Sequence, residues 1–302
     1  MPLARIALLS DRGVVRVAGP DAEKFLNGSI TADLGMLEAQ AAVHSALLTP
    51  QGKMLFEFFV TKSTDGAFLL ETGKDLADDL VKRLQMFRLR AKVEVENVSA
   101  AYEVAAAWGD AAPPADGKRI VYGDPRLPQM GWRMLASVPP GSAAKADDAK
   151  ADVEWVPAET YHAHRIDLGV PEGGKDYALG ETFPHEANLD LLGGISFTKG
   201  CFIGQEVVSR MKHRGTARKR VVPVEGEAPL ASGAPVTAGE VEIGRTGSVA
   251  GTRGLAMVRL DRAAEAAAKG EPLRAGGIAI ALRKPAWAAF ELAPPESPAG
   301  KG

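Results

Sequence analysis

The chain has 302 residues, 46% hydrophobic and 25% charged, with a formal net charge of −2 and a single cysteine. That length exceeds one ordinary core and predicts two or three domains, and the composition is that of a soluble globular protein. The charge excludes nucleic-acid binding through overall charge while leaving room for a local basic patch. One cysteine excludes an intramolecular disulfide, a zinc site made by cysteine or an iron–sulfur cluster held within one chain.

Residues 3–9 and 13–18 alternate as two short strands, and Ser10-Asp11-Arg12-Gly13 between them predicts a hairpin. This N-terminal stretch carries Arg5, Asp11, Arg12 and Arg16 and lacks the apolar core of a signal peptide. No segment has the apolar length that crosses a bilayer. The chain is therefore read as cytoplasmic, with no membrane partner. Asp21 is placed to cap a short helix that turns Phe25 and Leu26 inward. Three strands are predicted at 43–49, 53–62 and 67–72, with a turn at Thr49-Pro50-Gln51-Gly52-Lys53. Asp75 then caps a helix reaching Arg90, with Leu76, Leu80, Leu84 and Phe87 as its apolar stripe.

Strands resume at 92–98 and 101–108, followed by a Pro/Ala/Gly-rich break at 109–117 and extended chain over 118–138. A second break, Pro139 to Asp152, reads as a mobile loop. Pro157 suits the first turn of a helix ending near Leu168, and another helix runs from Gly204 to His213. Runs at 219–225, 240–249, 255–260 and 277–283 sit between Gly- and Pro-containing turns, the pattern of a small antiparallel barrel or sandwich. Residues 293–302 read as a disordered tail. Helices and strands do not alternate strictly, so the predicted class is α+β with antiparallel sheets. No dinucleotide or P-loop fingerprint is present, and neither NAD nor ATP is indicated.

The most specific stretch is Lys199-Gly200-Cys201-Phe202-Ile203-Gly204-Gln205-Glu206. Its glycines call for unusual backbone angles or a close approach of backbone. Cys201 before a helix start, with Lys199 nearby, is a candidate activated thiol. Its plain alternative is a small buried hydrophobe. Residues 199–220 carry Lys199, Arg210, Lys212, Arg214, Arg218, Lys219 and Arg220 against Glu206 alone. This excess suits an anionic ligand such as a carboxylate-rich cofactor tail, a phosphate or RNA, or else a solvated helix face. His162 and His164, two apart on a helix, face different ways and make poor joint metal ligands, and no metal site is assigned. Arg165 and Asp167 lie near the end of the same helix, where an acid can accept the N–H edge of a heterocycle.

The Lys199–Glu206 string resembles the signature of the YgfZ family, folate-binding relatives of the glycine-cleavage T-protein. Phe25-Leu26-Asn27-Gly28 with Thr31-Ala32-Asp33-Leu34, Leu48 to Lys53, Asp124-Pro125-Arg126 with Gly131-Trp132-Arg133, Arg165 to Gly169, Pro184 to Leu189 and Arg218-Lys219-Arg220 resemble further family blocks in the same order. The run from Ser209 to Arg220 is similar to the branch containing the mitochondrial iron–sulfur assembly factor.

The resemblance implies two related α+β lobes, residues 1–108 and 109–218, and a C-terminal barrel over 219–292, around a central opening that binds tetrahydrofolate. It implies Asp167 against the pterin, with Arg165, Asn188, Gln205, Glu206 and Arg214 as further folate contacts. Cys201 and Lys199 are the implied reactive pair, Cys201 facing redox chemistry or a cluster shared with a partner. The implied role is assembly or repair of iron–sulfur proteins, tRNA-modifying enzymes included, with assembly or client proteins as partners. T-proteins carry two consecutive acids after the glycine turn, whereas this chain has Phe56-Glu57, which argues against a working aminomethyltransferase. A C1 transferase and an RNA-binding module using 199–220 are the alternatives.

Overall fold

Backbone hydrogen bonding sorts the strands into two five-stranded sheets and one closed six-stranded barrel. The structure, a computed structural model, describes residues 4–110, 112–113, 119–137, 153–214 and 217–292, without the side chain of Arg214. The expected loop at Pro139 to Asp152 and the expected tail at 293–302 lie outside the described residues. The chain divides into two units: Met1–Tyr161 with Leu192–Gln205, and His162–Leu191 with Glu206–Gly302.

The first unit contains β1 (Ala4–Leu8), β2 (Arg12–Ala18), α1 (Ala22–Ser29), β3 (Ala42–Leu48), β4 (Met54–Lys62), β5 (Phe68–Gly73), α2 (Ala77–Phe87), β6 (Glu94–Asn97), β7 (Tyr102–Trp108), β8 (Arg119–Gly123), β9 (Trp132–Ser137) and β10 (Val153–Val156). One sheet has the order β3-β4-β5-β2-β6 and the other β10-β1-β7-β9-β8. All pairings are antiparallel except β1 with β10.

The expected N-terminal hairpin does not form. β1 pairs with β7 and β10, whereas β2 pairs with β5 and β6. The turn residues reverse the chain, but long-range partners capture its two arms: Leu9 N donates to Val104 O (2.8 Å) and Lys74 N to Asp11 O (2.8 Å). No unit boundary falls at residue 108, because β7 shares a sheet with β8 and β9.

The two faces of the first sheet differ in chemistry. Val15, Val17, Val43, Leu47, Phe56, Phe58, Val60 and Leu70 pack under α1 and α2 with Leu26, Leu80 and Leu84. Each fully buried leucine contributes roughly 1.5–3 kcal/mol. Neither expected aspartate cap forms. Asp21 accepts instead from the backbone N of Lys92 (2.7 Å), and Asp75 lies in a 3-10 turn, Lys74–Leu76, ahead of α2. Helix α2 stops at Phe87 rather than Arg90, and Leu89 follows with φ of 46°.

The other face of that sheet is polar and meets the second sheet. Glu71 on β5 accepts from Arg12 Nε (2.9 Å), from Arg133 Nη1 on β9 (2.8 Å) and from the Tyr122 hydroxyl on β8 (2.6 Å). Arg126 grips Asp124 through two bonds of 3.0 and 2.7 Å, and both Arg126 and Arg133 stack on Phe59. Burial alone would raise the Asp124 carboxyl, but Arg126 and Arg133 hold it well below the usual carboxylate range.

Helix α3 (Ala158–Asp167) contains the first junction between units, and α4 (Gln205–Arg214) begins at the last. The second unit then holds β11 (Lys219–Gly226), β12 (Pro235–Ala238), β13 (Val241–Ala250), β14 (Arg253–Arg259), α5 (Leu260–Ala268), β15 (Leu273–Ala275) and β16 (Ile278–Leu282). The barrel order is β11-β14-β13-β12-β15-β16, around Val222, Val224, Val236, Ile243, Ala256 and Val258. Sequence reading anticipates four of its strands. β12 and β15 escape it because they are four and three residues long.

Candidate functional site: the Lys199–Glu206 segment

The ammonium of Lys199 sits in a cage of main-chain oxygens. Its Nζ donates to Asn27 O (2.8 Å), Ile30 O (2.7 Å) and Ala32 O (2.5 Å), with Asn27 Oδ1 at 3.4 Å. Three donors thus meet three carbonyls at the end of α1. Burial pushes the Lys199 amine down to about 8, with Asp33 opposing, so it carries its charge at neutral pH. Lys199 therefore fastens the segment to the loop after α1, and its expected place in a reactive pair gives way to that role. Around the cage, Thr31 Oγ1 donates to Gly194 O (2.6 Å) and Ser196 N donates to Thr31 O (2.9 Å).

Phe202 is buried and lies under the Lys199 charge, 5.2 Å from Nζ to ring centroid. Ile203 packs on the apolar core beneath α1 and α2. Gly204 has φ of 79°, and a Cβ there would lie 2.7 Å from Thr49 O and 3.1 Å from the Gly52 Cα. Only glycine permits both that angle and that approach. The turn it touches is closed by Gly52 N donating to Thr49 O (2.8 Å) and Thr49 N donating to Lys53 O (2.8 Å).

Between these fixed points Cys201 is exposed. The helix after it begins at Gln205, so Cys201 is not at a helix N-terminus, and the dipole invoked for it acts only within the first turn. Gln205 is half-buried, and Glu206 is exposed and paired with Arg210 one turn on.

The remaining expected site residues belong to the second unit. Arg165 is fully buried, with Nη1 donating to Asp176 (2.5 Å) and to Val170 O (3.2 Å), and Nη2 to Ser248 (2.5 Å). Asn188, at φ of 63°, is fully buried; its amide donates to Val221 O (2.8 Å) and its carbonyl accepts from Arg220 (3.0 Å). Both are framework groups, not ligand-facing ones. Asp167, 39% exposed, pairs with Arg253. The side chain of Arg214 lies outside the described residues. The structure therefore gathers Lys199, Cys201 and Gln205 in one unit and Arg165, Asp167, Asn188 and Glu206 in the other.

Sequence reasoning missed the polar layer of the first unit. Arg12, Glu71, Tyr122 and Arg133 sit on strands and Asp124 and Arg126 in the connection between β8 and β9, and nothing local announces that a second sheet covers that face. Within that layer Glu57 Oε1 lies 2.7 Å from His44 Nε2, so the single acid on that strand is already engaged. The basic excess of 199–220 is also partly spent. Lys199 is caged, Arg210 pairs with Glu206, and Arg220 donates to Asp190 (2.9 Å).

Two family models match the chain: the GCVT N-terminal domain over residues 6–114, and the C-terminal β-barrel domain of CAF17 over residues 218–290. Among curated proteins, the chain is 35% identical over 270 residues to the mouse iron–sulfur cluster assembly factor IBA57, covering 80% of this chain and 72% of that protein. It is 35% identical over 276 residues to the human counterpart, covering 83% and 76%. It is 35% identical over 234 residues to the homologue from Mycosarcoma maydis, covering 73% of this chain and 57% of that one. All three are named as mitochondrial proteins, which overturns the reading of this chain as cytoplasmic. Among solved structures, the aminomethyltransferase T of the glycine cleavage system from Bartonella henselae matches with a TM-score of 0.75 at 17% identity, covering 95% of this chain and 86% of that one. At that identity the likeness establishes the fold, an α+β T-protein fold with antiparallel sheets and a closed C-terminal barrel.

Proposed function

The chain belongs to the family of the iron–sulfur cluster assembly factor IBA57, and we propose that it acts in the assembly or repair of iron–sulfur proteins. The observation that carries this reading is the display of Cys201. The backbone is fastened at Lys199 and at Gly204, its neighbour Phe202 is buried, and the single thiol of the chain points out between them. One thiolate cannot ligate a cluster alone, so a cluster at Cys201 is shared with ligands of a partner. Deleting the gene and assaying a [4Fe–4S] enzyme under oxidative stress tests the role. Activity falls if the reading is right, and full activity overturns it.

Two finer elements belong to the same proposal. Placed beside the YgfZ proteins, the chain acts on clients that include tRNA-modifying iron–sulfur enzymes, and it binds tetrahydrofolate. Of the expected folate contacts in the second unit, Asp167 and Glu206 are exposed carboxylates that keep acceptor atoms for an N–H edge, and the family resemblance puts the pterin at Asp167. Arg165 and Asn188 do not fit, being buried and committed. A ligand of the folded state stabilises it by about 2.7 kcal/mol at 100 times its Kd. Tetrahydrofolate therefore raises Tm, and Asp167→Asn reduces that rise; an unshifted wild-type Tm removes folate from the account. The transferase alternative is disfavoured by the engagement of Glu57 with His44, and the RNA alternative by the partial spending of the 199–220 charges at Lys199, Arg210 and Arg220.

A further inference from the structure

A surface hollow of about 630 Å3 opens in the first unit where α1 and the chain after α2 meet Ile203. Its floor and rim include Phe25, Met86, Leu89 and Ile203. Met86 is 67% exposed and Leu89 89% exposed, large apolar side chains left in solvent. Leu89 also has φ of 46°, a left-handed angle that is uncommon for a residue with a bulky side chain. The charged residues here are Lys24, Arg88 and Arg90 against Asp21. Asp21 spends one carboxylate oxygen on Lys92 N (2.7 Å), and Arg88 spends one N–H on Val93 O (3.1 Å). The local sign is thus opposite to the net charge of −2 carried by the whole chain.

We propose that this hollow is the docking site for an acidic segment of a partner protein that inserts an apolar side chain. Charge complementarity selects acid over base, since an approaching basic segment would meet cations of its own sign. The apolar floor selects a segment with an anchor residue over a plain acidic tail, because apolar anchors in a desolvated pocket carry most of the energy of an interface. The hollow receives an inserted side chain, which a bilayer does not supply; the projecting Met86 and Leu89 beside Lys24, Arg88 and Arg90 also suit an anionic lipid surface, and the vesicle arm of the test separates the two. Ile203 lies two residues from Cys201, so a segment docked here lies within about 7 Å of chain from the thiol. The purpose of the docking, to bring partner ligands to Cys201, rests on the cluster-sharing reading above; the docking itself does not.

The test uses the full chain and a fluorescent 18-residue peptide probe, about five helical turns, with leucines at helical i, i+3, i+4 spacing and glutamates elsewhere. Its controls are the same peptide with lysine for glutamate, a scrambled glutamate–leucine peptide, and vesicles of anionic lipid. The amphipathic acidic peptide is expected to bind, more weakly as salt rises. Leu89→Ser, and separately Lys24→Glu with Arg90→Glu, are each expected to weaken it at least tenfold. The lysine peptide should not bind and the scrambled peptide should bind less well. Cys201→Ser should bind the probe as the wild type does. Binding that ignores both sets of variants overturns the proposal. So does a vesicle interaction that the variants abolish while peptide binding persists. If the variants abolish peptide binding while Cys201→Ser supports full activity in cells, the docking site stands and the cluster reading falls. The opposite pattern removes the docking site alone.

Discussion

Replacing Lys199 with methionine keeps the length of the side chain and removes its three donors. The carbonyls of Asn27, Ile30 and Ala32 then lose a partner that lies 2.5–2.8 Å away. A hydrogen bond to a charged group contributes about 1.5–3 kcal/mol, and a buried acceptor left unmade costs about 1–3 kcal/mol. The three bonds share one ammonium whose burial is itself unfavourable, and water reaches part of the half-buried site, so the sum is not additive. We expect a net loss of about 3 kcal/mol, the size of one to two such bonds. Urea unfolding at pH 7 reads it as a lower midpoint at unchanged m-value. Lys199→Arg is expected to lose stability as well, because a planar fork cannot aim at three converging carbonyls. A loss below about 1 kcal/mol in both variants, with function abolished, would refute the cage and return Lys199 to a chemical role.

Further outcomes follow from the same geometry. Glu71→Ala removes the buried carboxylate shared by Arg12, Arg133 and Tyr122, leaving Arg133 with Asp124 and Tyr161, and should cost about 3–5 kcal/mol by urea unfolding; a change within experimental error would show that the layer is hydrated. Gly204→Ala should cost about 2 kcal/mol or more, since its φ of 79° is unfavourable for alanine and its Cβ meets Thr49 O; a neutral effect would mean that the turn yields freely. Burial, helped by nearby Arg220 and Lys212, pushes His185 below its ordinary 6.5. Between the folded value and 6.5 the unfolded chain binds more protons, so stability is complete above pH 6.5 and falls as pH drops below it. His185→Gln should flatten that decline, and an identical pH profile in the variant would exclude His185 as its source.

Much of the architecture is legible in the residues themselves. The apolar patterns of β3, β4 and β5 give those strands to within a residue at each end, because they depend on local periodicity, and the stripe Leu80–Leu84 gives α2 but not its ends, which fall at Ala77 and Phe87. The turn at Ser10 and Asp11 is equally local, yet which strands take its two arms is decided by residues far along the chain, such as Phe68 for Val17 and Trp108 for Arg5. Asp21 and Asp75 stand where caps stand, but Lys92 and a 3-10 turn claim those places. At the site, the glycines of the signature announce close approach, and Gly204 makes one. The signature does not reveal that Lys199 is spent on three main-chain oxygens, since backbone carbonyls leave no mark in a sequence. Arg165 and Asn188 show the same limit: a polar residue in a family block is equally suited to hold a ligand or the frame beside it, and only burial separates the two.

The central claim is that the displayed Cys201 thiol serves iron–sulfur assembly. Its most direct test is complementation of the deletion strain with wild-type and Cys201→Ser genes, reading the specific activity of a [4Fe–4S] enzyme while confirming equal levels and equal Tm of the two proteins. Cys201 is exposed and the cage leaves it out, so the variant should fold normally. The account predicts that wild type restores the activity and Cys201→Ser does not; full restoration by a folded Cys201→Ser protein would contradict it.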